Sequence, residues 1–271
     1  RMAGIWIGGF LYDGMGFRYL GWGFYEGALF FVAAAIMFIS IIPLLYLPEG
    51  GVNVNSSSSQ TALSADVHHV SITVYLVFLA GMAFINFGRN SIAIIFAQYL
   101  TLPSGLALDS QTLSYIFNTQ SVAIVVLGWM AGTICRRLGN GMALFVGTAT
   151  SIAALVFLVW TMSVPMIYAC SFLRGVGDVL IMAAAYTIAS TLIPPEKRGR
   201  LFAWYNGTFF LSFGLGGTLL AGPIVDGLIT AGHSESWAYQ MSFAAAAGLT
   251  VIGLFIQAGL YYYLNKRPGK S

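Results

Sequence analysis

The chain has 271 residues, of which 58% are hydrophobic and 8% charged, and its mean hydropathy is +0.81. A soluble domain carries about 25% charged residues, so this balance belongs to a lipid bilayer. A net charge of +3 is too small to imply nucleic acid, and two cysteines, Cys135 and Cys170, give neither a disulfide framework nor a zinc or haem spacing.

Arg1 opens directly into a Gly-rich apolar run with no initiator Met and no signal peptide, so the start is expected to be a truncation point. Residues 1–11 read as the tail of an earlier span. A helix crosses about 30 Å of hydrocarbon with about 20 residues. Seven stretches then meet that length: 20–47, 70–100, 111–135, 140–162, 165–193, 201–229 and 237–264. They are continuous rather than alternating, which excludes the strands of a membrane barrel. The expected fold class is all-α, a polytopic transmembrane helical bundle. Glu26, beside Trp22 and Tyr25, is expected at the membrane interface. Residues 48–69 are rich in Gly, Ser and Asn and read as a flexible linker, ending in His68 and His69. The linker separates one span from the six that follow.

Orientation follows from basic residues in the short loops. Arg136 and Arg137, then Lys197, Arg198 and Arg200, then Lys266, Arg267 and Lys270 all fall on one face if the crossings alternate. That face should be cytoplasmic, and with it the C-terminus. The connections around 101–110, 162–165 and 230–236 hold no Lys or Arg, and Arg18 is the single basic loop residue on that side. The expected location is the cell (plasma or inner) membrane.

An internal repeat supports this layout. Gly4, Gly9, Asp13 and Gly14 recur as Gly217, Gly222, Asp226 and Gly227, each offset by 213 residues. Such a unit holds six spans, so the chain reads as one complete six-helix repeat preceded by the end of another.

Three passages then resemble the C-terminal part of a major facilitator superfamily transporter. Gly128-Trp-Met-Ala-Gly132, continuing to Arg136-Arg137-Leu-Gly139-Asn140, is similar to the family's Gly-rich loop between the second and third helices of each half. Leu173-Arg174-Gly175-Val-Gly177 with the basic run to Arg200 resembles the tenth helix and the loop behind it. Gly214 to Pro223 resembles the glycine- and proline-rich eleventh helix. Beside these three, the opening from Gly8 to Arg18 looks like the end of the fifth helix running into the sixth. One departure is Arg136, which stands where the family loop often has an acidic residue. The resemblance implies helix five (tail) through helix twelve. It divides the chain into the end of an N-terminal half (1–47), the linker (48–69), a C-terminal six-helix half (70–264) and a cytoplasmic tail (265–271). The architecture of two parallel halves is a known property of this superfamily.

The candidate site residues are ionised or polar side chains inside apolar spans, where a charge costs roughly 2.5–3.5 kcal/mol on insertion scales. Arg174 and Asp178 are i and i+4 on one helix face, with Asp178 near the midplane. Asp178 is a candidate proton site with Arg174 tuning it or meeting an anionic group; the alternative is a static ion pair neutralising two buried charges, or a lock to a neighbouring helix. Arg89, in Asn86-Phe-Gly88-Arg89-Asn90, has no acidic residue on its own span. Its partner is therefore another helix or the ligand, unless the side chain snorkels to the interface. Gly88 is expected to permit a helix break there, with Asn86 and Asn90 beside it. Gln111, Ser114, Tyr115 and Asn118 form a polar stripe, read as a cavity wall or as interhelical hydrogen bonding. Trp204, Tyr205, Asn206, Thr208 and Ser212 form a second patch. Gly128, Gly132, Arg136, Arg137 and Gly139 are the candidate gating loop; the glycines at 128–132 and 213–217 are expected to allow close helix packing.

These features predict a secondary active transporter that moves a small organic solute or drug by alternating access, coupled to a proton, as a fragment lacking its N-terminal half. Its partners would be the solute, the proton, the bilayer and that missing half. No cofactor, metal or catalytic residue is expected, and GxxxxGK[ST] is absent, leaving ATP-driven transport without support. A seven-helix receptor or photoreceptor fits the count, but a pigment needs a Schiff-base Lys and 237–264 has none. A membrane-embedded enzyme would want paired carboxylates or a His cluster inside the bilayer, whereas His68, His69 and His233 all lie in loops.

Overall fold

The computed structural model describes residues 4–5, 8, 18–19, 22–23, 28–46, 72–160, 163–194 and 197–266. The linker, Glu26, His68 and His69, and Gly9, Asp13 and Gly14 of the first repeat lie outside the described residues. Among the described residues the secondary structure is helical apart from a two-residue antiparallel pair, with Arg18 opposite Gly23 and Tyr19 opposite Trp22. The expected single span over 20–47 is therefore corrected: residues 22–23 are strand, and the helices that follow are α1 (Ala28–Ile39) and the short α2 (Ile41–Leu45).

Six helices long and apolar enough to cross a membrane follow, at the expected places. They are α3 (Ile72–Thr101), α4 (Ser110–Leu138), α5 (Asn140–Trp160), α6 (Val164–Leu192), a compound span Arg198–Thr230, and α9 (Glu235–Lys266). The compound span is α7 (Arg198–Gly216), a π-turn over Gly217–Ala221, and α8 (Gly222–Thr230). Pro223 explains the interruption. Its ring has no N–H to donate and would collide with the carbonyl four residues back, so the ladder opens by one residue and Gly222 N–H bonds to Gly217 O.

The helix ends follow local chemistry. Asp109 caps α4 by accepting from Thr112 N–H at 3.2 Å. Gly139 ends α4 at φ +82°, a conformation that favours glycine, with its N–H on Cys135 O.

Small residues set the helix spacing. Along α3 and α9, which run antiparallel, a Cβ on Gly253 would lie 2.8 Å from Gly81 O, and Gln257 Nε2 donates to Phe78 O at 2.8 Å. A Cβ on Gly147 of α5 would meet Leu180 Cβ of α6 at 2.7 Å. Lipid offers no hydrophobic drive for apolar helices to associate, so close packing and interhelical hydrogen bonds carry that role.

The bundle has two apolar cores with a polar layer between them. Toward the basic loops, Tyr75, Phe78, Met82 and Ile85 pack with Leu144, Ile181 and Tyr205. Toward the opposite end, Ile92, Phe96 and Tyr99 pack with Ile116, Leu158 and Phe243. Between Ile85 and Ile92 on α3 lie Asn86, Arg89, Asn90 and Ser91, all buried.

Candidate functional site

The polar layer is built from the middles of four helices. At about 1.5 Å per residue, Arg89 lies roughly 18 Å from the Thr101 end of α3 and Asp178 roughly 21 Å from the Val164 end of α6, so the two meet at one depth. Arg89 Nη1 donates to Asp178 Oδ1 at 2.5 Å, and Gln120 Nε2 of α4 donates to Asp178 Oδ2 at 2.7 Å. The Arg89 guanidinium also lies 5.6 Å from the Phe209 ring centre of α7. A charged pair in low dielectric needs good geometry and further hydrogen bonds to offset desolvation, and both carboxylate oxygens have a donor here.

The run Arg174-Gly-Val-Gly-Asp178 shows why Asp178 sits where it does. A Cβ on Gly175 would meet Ala123 Cβ of α4 at 2.7 Å, and one on Gly177 would meet Gly147 O of α5 at 2.8 Å. Two glycines, three and one residues ahead of the carboxylate, thus admit a helix on each side of α6.

Several expectations change. The ion pair that Asp178 makes is with Arg89 on another helix, and Arg174 turns its guanidinium over the Phe96 ring at 5.2 Å. Asp178 is thus locked to a neighbouring helix, and Arg89 finds its acidic partner off its own span. Arg89 does not snorkel; its side chain is sealed at 5% exposure. Gly88 permits no break, since α3 runs unbroken from Ile72 to Thr101. The glycine instead admits α9, as a Cβ there would lie 2.7 Å from Ala246 O.

Asn86 and Asn90 join α3 to the parallel α7. Asn86 Nδ2 donates to Thr208 Oγ1 at 3.1 Å, and Asn90 Nδ2 to Ser212 Oγ at 2.7 Å. Asn206, from the same patch, is exposed. Of the α4 stripe, Gln111 Nε2 donates to Tyr115 OH at 3.1 Å and both side chains are exposed. Ser114 is buried and bonds back to Gln111 O. Asn118 Oδ1 is buried with no hydrogen-bond partner among the described residues.

The glycine stretches divide. Gly216 packs on Ser91, whose Cα a Cβ would meet at 3.0 Å. Gly128 and Gly132 are exposed, and a Cβ on either would meet nothing within 4 Å, so they close no helix contact among the described residues. Arg136 and Arg137 are exposed in the last turn of α4, where cations complement the helix dipole. A cleft of about 640 Å³ between α3 and α9, lined by Val74, Val77, Phe255 and Tyr263 among others, lies in the half of the bundle nearer the basic loops, away from the polar layer.

Gln120, Phe209 and Phe96 were not singled out by sequence. Gln120 falls off the stripe that ends at Asn118, and aromatic residues are common throughout the chain. The signal that points to Gln120 is its place as a buried amide in an apolar run. Among the described residues, no group of three or more His, Cys, Asp or Glu side chains could hold a metal.

A multi-pass helical membrane protein with an ion pair at mid-depth is the class these features define. The family model of the Major Facilitator Superfamily matches residues 1–217 and 78–271, and the chain belongs to that superfamily, whose members are transporters. It is 33% identical over 75 residues to Multidrug resistance protein 3 of Bacillus subtilis (strain 168), covering 28% of this chain and 14% of that protein. It is also similar to crystal structures of the peptide transporter POT. For the complex with sulfate the TM-score is 0.49 at 20% identity, over 71% of this chain and 38% of that one. For a mutant in complex with alafosfalin it is 0.48 at 20% identity, over the same shares. The chain thus spans well under half the length of these proteins.

Proposed function

We propose that the chain is the C-terminal part of a proton-coupled secondary transporter for a small organic solute, in which Asp178 is the proton-binding group. The carrying observation is the unequal exposure of one ion pair: the Asp178 side chain keeps 21% of its surface open while Arg89 keeps 5%. The carboxylate is thus the more open member of the pair, and protonating it would weaken the pair; the guanidinium is the part held in place. Alternating access in this superfamily rocks two halves about a midplane site, and a pair that changes strength with protonation is the element such rocking needs.

The second half is proposed from exposed surface. The apolar windows of α4 and of Arg198–Thr230 are 22% and 28% buried, against 56% for α3. Trp129, Val125 and Val126 of α4 and Phe210 of α7 stand open, and a missing N-terminal half would have these faces to cover. Arg89, Arg174 and Asp178 sum to one positive charge at mid-bundle, which favours a solute with an anionic or polar group. The multidrug resistance relative makes a drug-like solute a reasonable member of that class. We place the protein in the cell membrane with the basic loops and C-terminus on the cytoplasmic side.

The test is Asp178→Asn in the complete transporter, reconstituted in vesicles. Proton-driven accumulation should be abolished while counterflow exchange of solute persists. Accumulation that survives the substitution would refute proton coupling at this residue.

A further inference from the structure

Arg89 and Gln120 hold the two oxygens of Asp178 with different chemistry. A guanidinium is a donor only, whereas a primary amide carries both a donor and an acceptor. A proton placed on Oδ1 would face the N–H of Arg89, with nothing to accept it. A proton placed on Oδ2 faces Gln120, whose amide, turned over, offers Oε1 in place of Nε2.

Resting on the proton-coupling reading above, we infer that Gln120 is the positioning residue that directs the proton to Oδ2 of Asp178 and keeps the side chain anchored in both protonation states. The step is simple to balance. One proton from solvent forms the Oδ2–H bond, no covalent bond breaks in the protein, and the amide rotates so that Oδ2–H donates to Oε1. The Asp178 charge is cancelled, and the contact at Arg89 becomes a single-charge hydrogen bond.

The surroundings restrict Gln120 to this task. The residue is 7% exposed, and the Gly175 approach fixes the α4 backbone against α6 at the same residue. The charged groups around the carboxylate are Arg89 from α3 and Arg174 one turn away on α6, and Tyr205 of α7 lies on the Arg89 side. From α4 the group that meets it is the Gln120 amide, and α5 packs alongside through Gly147 and Ser151.

The test is infrared difference spectroscopy of the purified complete transporter between neutral and acid pH. A protonated-carboxyl band lost in Asp178→Asn is assigned to Asp178. In Gln120→Met that band should move to higher frequency, because the acid has lost its acceptor. A band at unchanged frequency overturns the inference while leaving proton coupling intact. If Gln120→Met does not fold, Gln120→Glu keeps the shape; it should add a second carboxyl band that shifts when Asp178→Asn is introduced, and two independent bands overturn the inference. The absence of any band lost in Asp178→Asn sinks this assignment and the coupling reading together.

Discussion

Gly88 of α3 lies directly against Thr250 of α9, so that any Cβ at position 88 would collide with the threonine hydroxyl and with Thr250 N and Ala246 O. Backbone atoms cannot rotate away as a side chain can. Gly88→Ala should therefore push the helices apart and destabilise the bundle by about 1–3 kcal/mol, the usual cost of overpacking. Adding Thr250→Ala should restore only part of it, since the Ala246 carbonyl remains 2.7 Å from the new Cβ. Thermal unfolding in detergent reads both effects. Full restoration by the double substitution would show that the hydroxyl alone sets the spacing.

The two partners of the mid-bundle ion pair should not be equally costly to lose. Asp178→Leu strands the sealed Arg89 guanidinium without its counter-charge, and breaking a buried pair in that way costs about 3–5 kcal/mol. Arg89→Leu leaves a carboxylate that is partly open to solvent and still bonded to Gln120, so the loss should be smaller. The double replacement should fall below the sum of the singles. Equilibrium unfolding of the three variants decides the order, and equal costs for the two singles would contradict the unequal exposure of the pair.

At the end of α4 away from the basic loops, the hydrogen bonds from Thr112 hold the Asp109 carboxyl below the usual carboxylate range. A carboxylate whose pKa is lowered on folding adds stability above its unfolded pKa and loses it as the pH falls through the folded one. Asp109→Ala should cost about 1 kcal/mol at neutral pH, and the gap to the parent chain should close in acid. Asp109→Asn should keep most of the cap, with less dependence on pH. Melting curves at a series of pH values test this, and a gap that widens toward acid would reverse the assignment.

Most of the fold was legible because a bilayer writes its demands in composition: the six long helices begin and end within a few residues of the apolar runs that announced them. The polar layer was half legible. Arg89 and Asp178 stand out as charges in grease, and counting 1.5 Å per residue from the helix ends puts them at one depth. What the residues do not reveal is which helices touch: the sequence puts Arg174 four positions from Asp178 and sends Arg89 to another helix or the ligand, without showing that Arg89 and Asp178 meet. Glycine was ambiguous in the same way. Gly88, Gly175 and Gly177 mark helix contacts, whereas Gly128 and Gly132 face outward, and nothing in the residue itself separates the two cases.

The π-turn at Gly217–Ala221 carries one residue more than a regular helix needs. Each residue turns an α-helix by about 100°, and the wide turn absorbs the surplus, so Gly222 to Thr230 keep the bearing they would have in a helix one residue shorter. Rewinding all five residues as regular α-helix, with none removed, would swing the side chains of Val225 and Asp226 to a different compass bearing, turning a buried valine away from its neighbours. The face that the segment beyond Pro223 presents is thus set by a miscount in the winding.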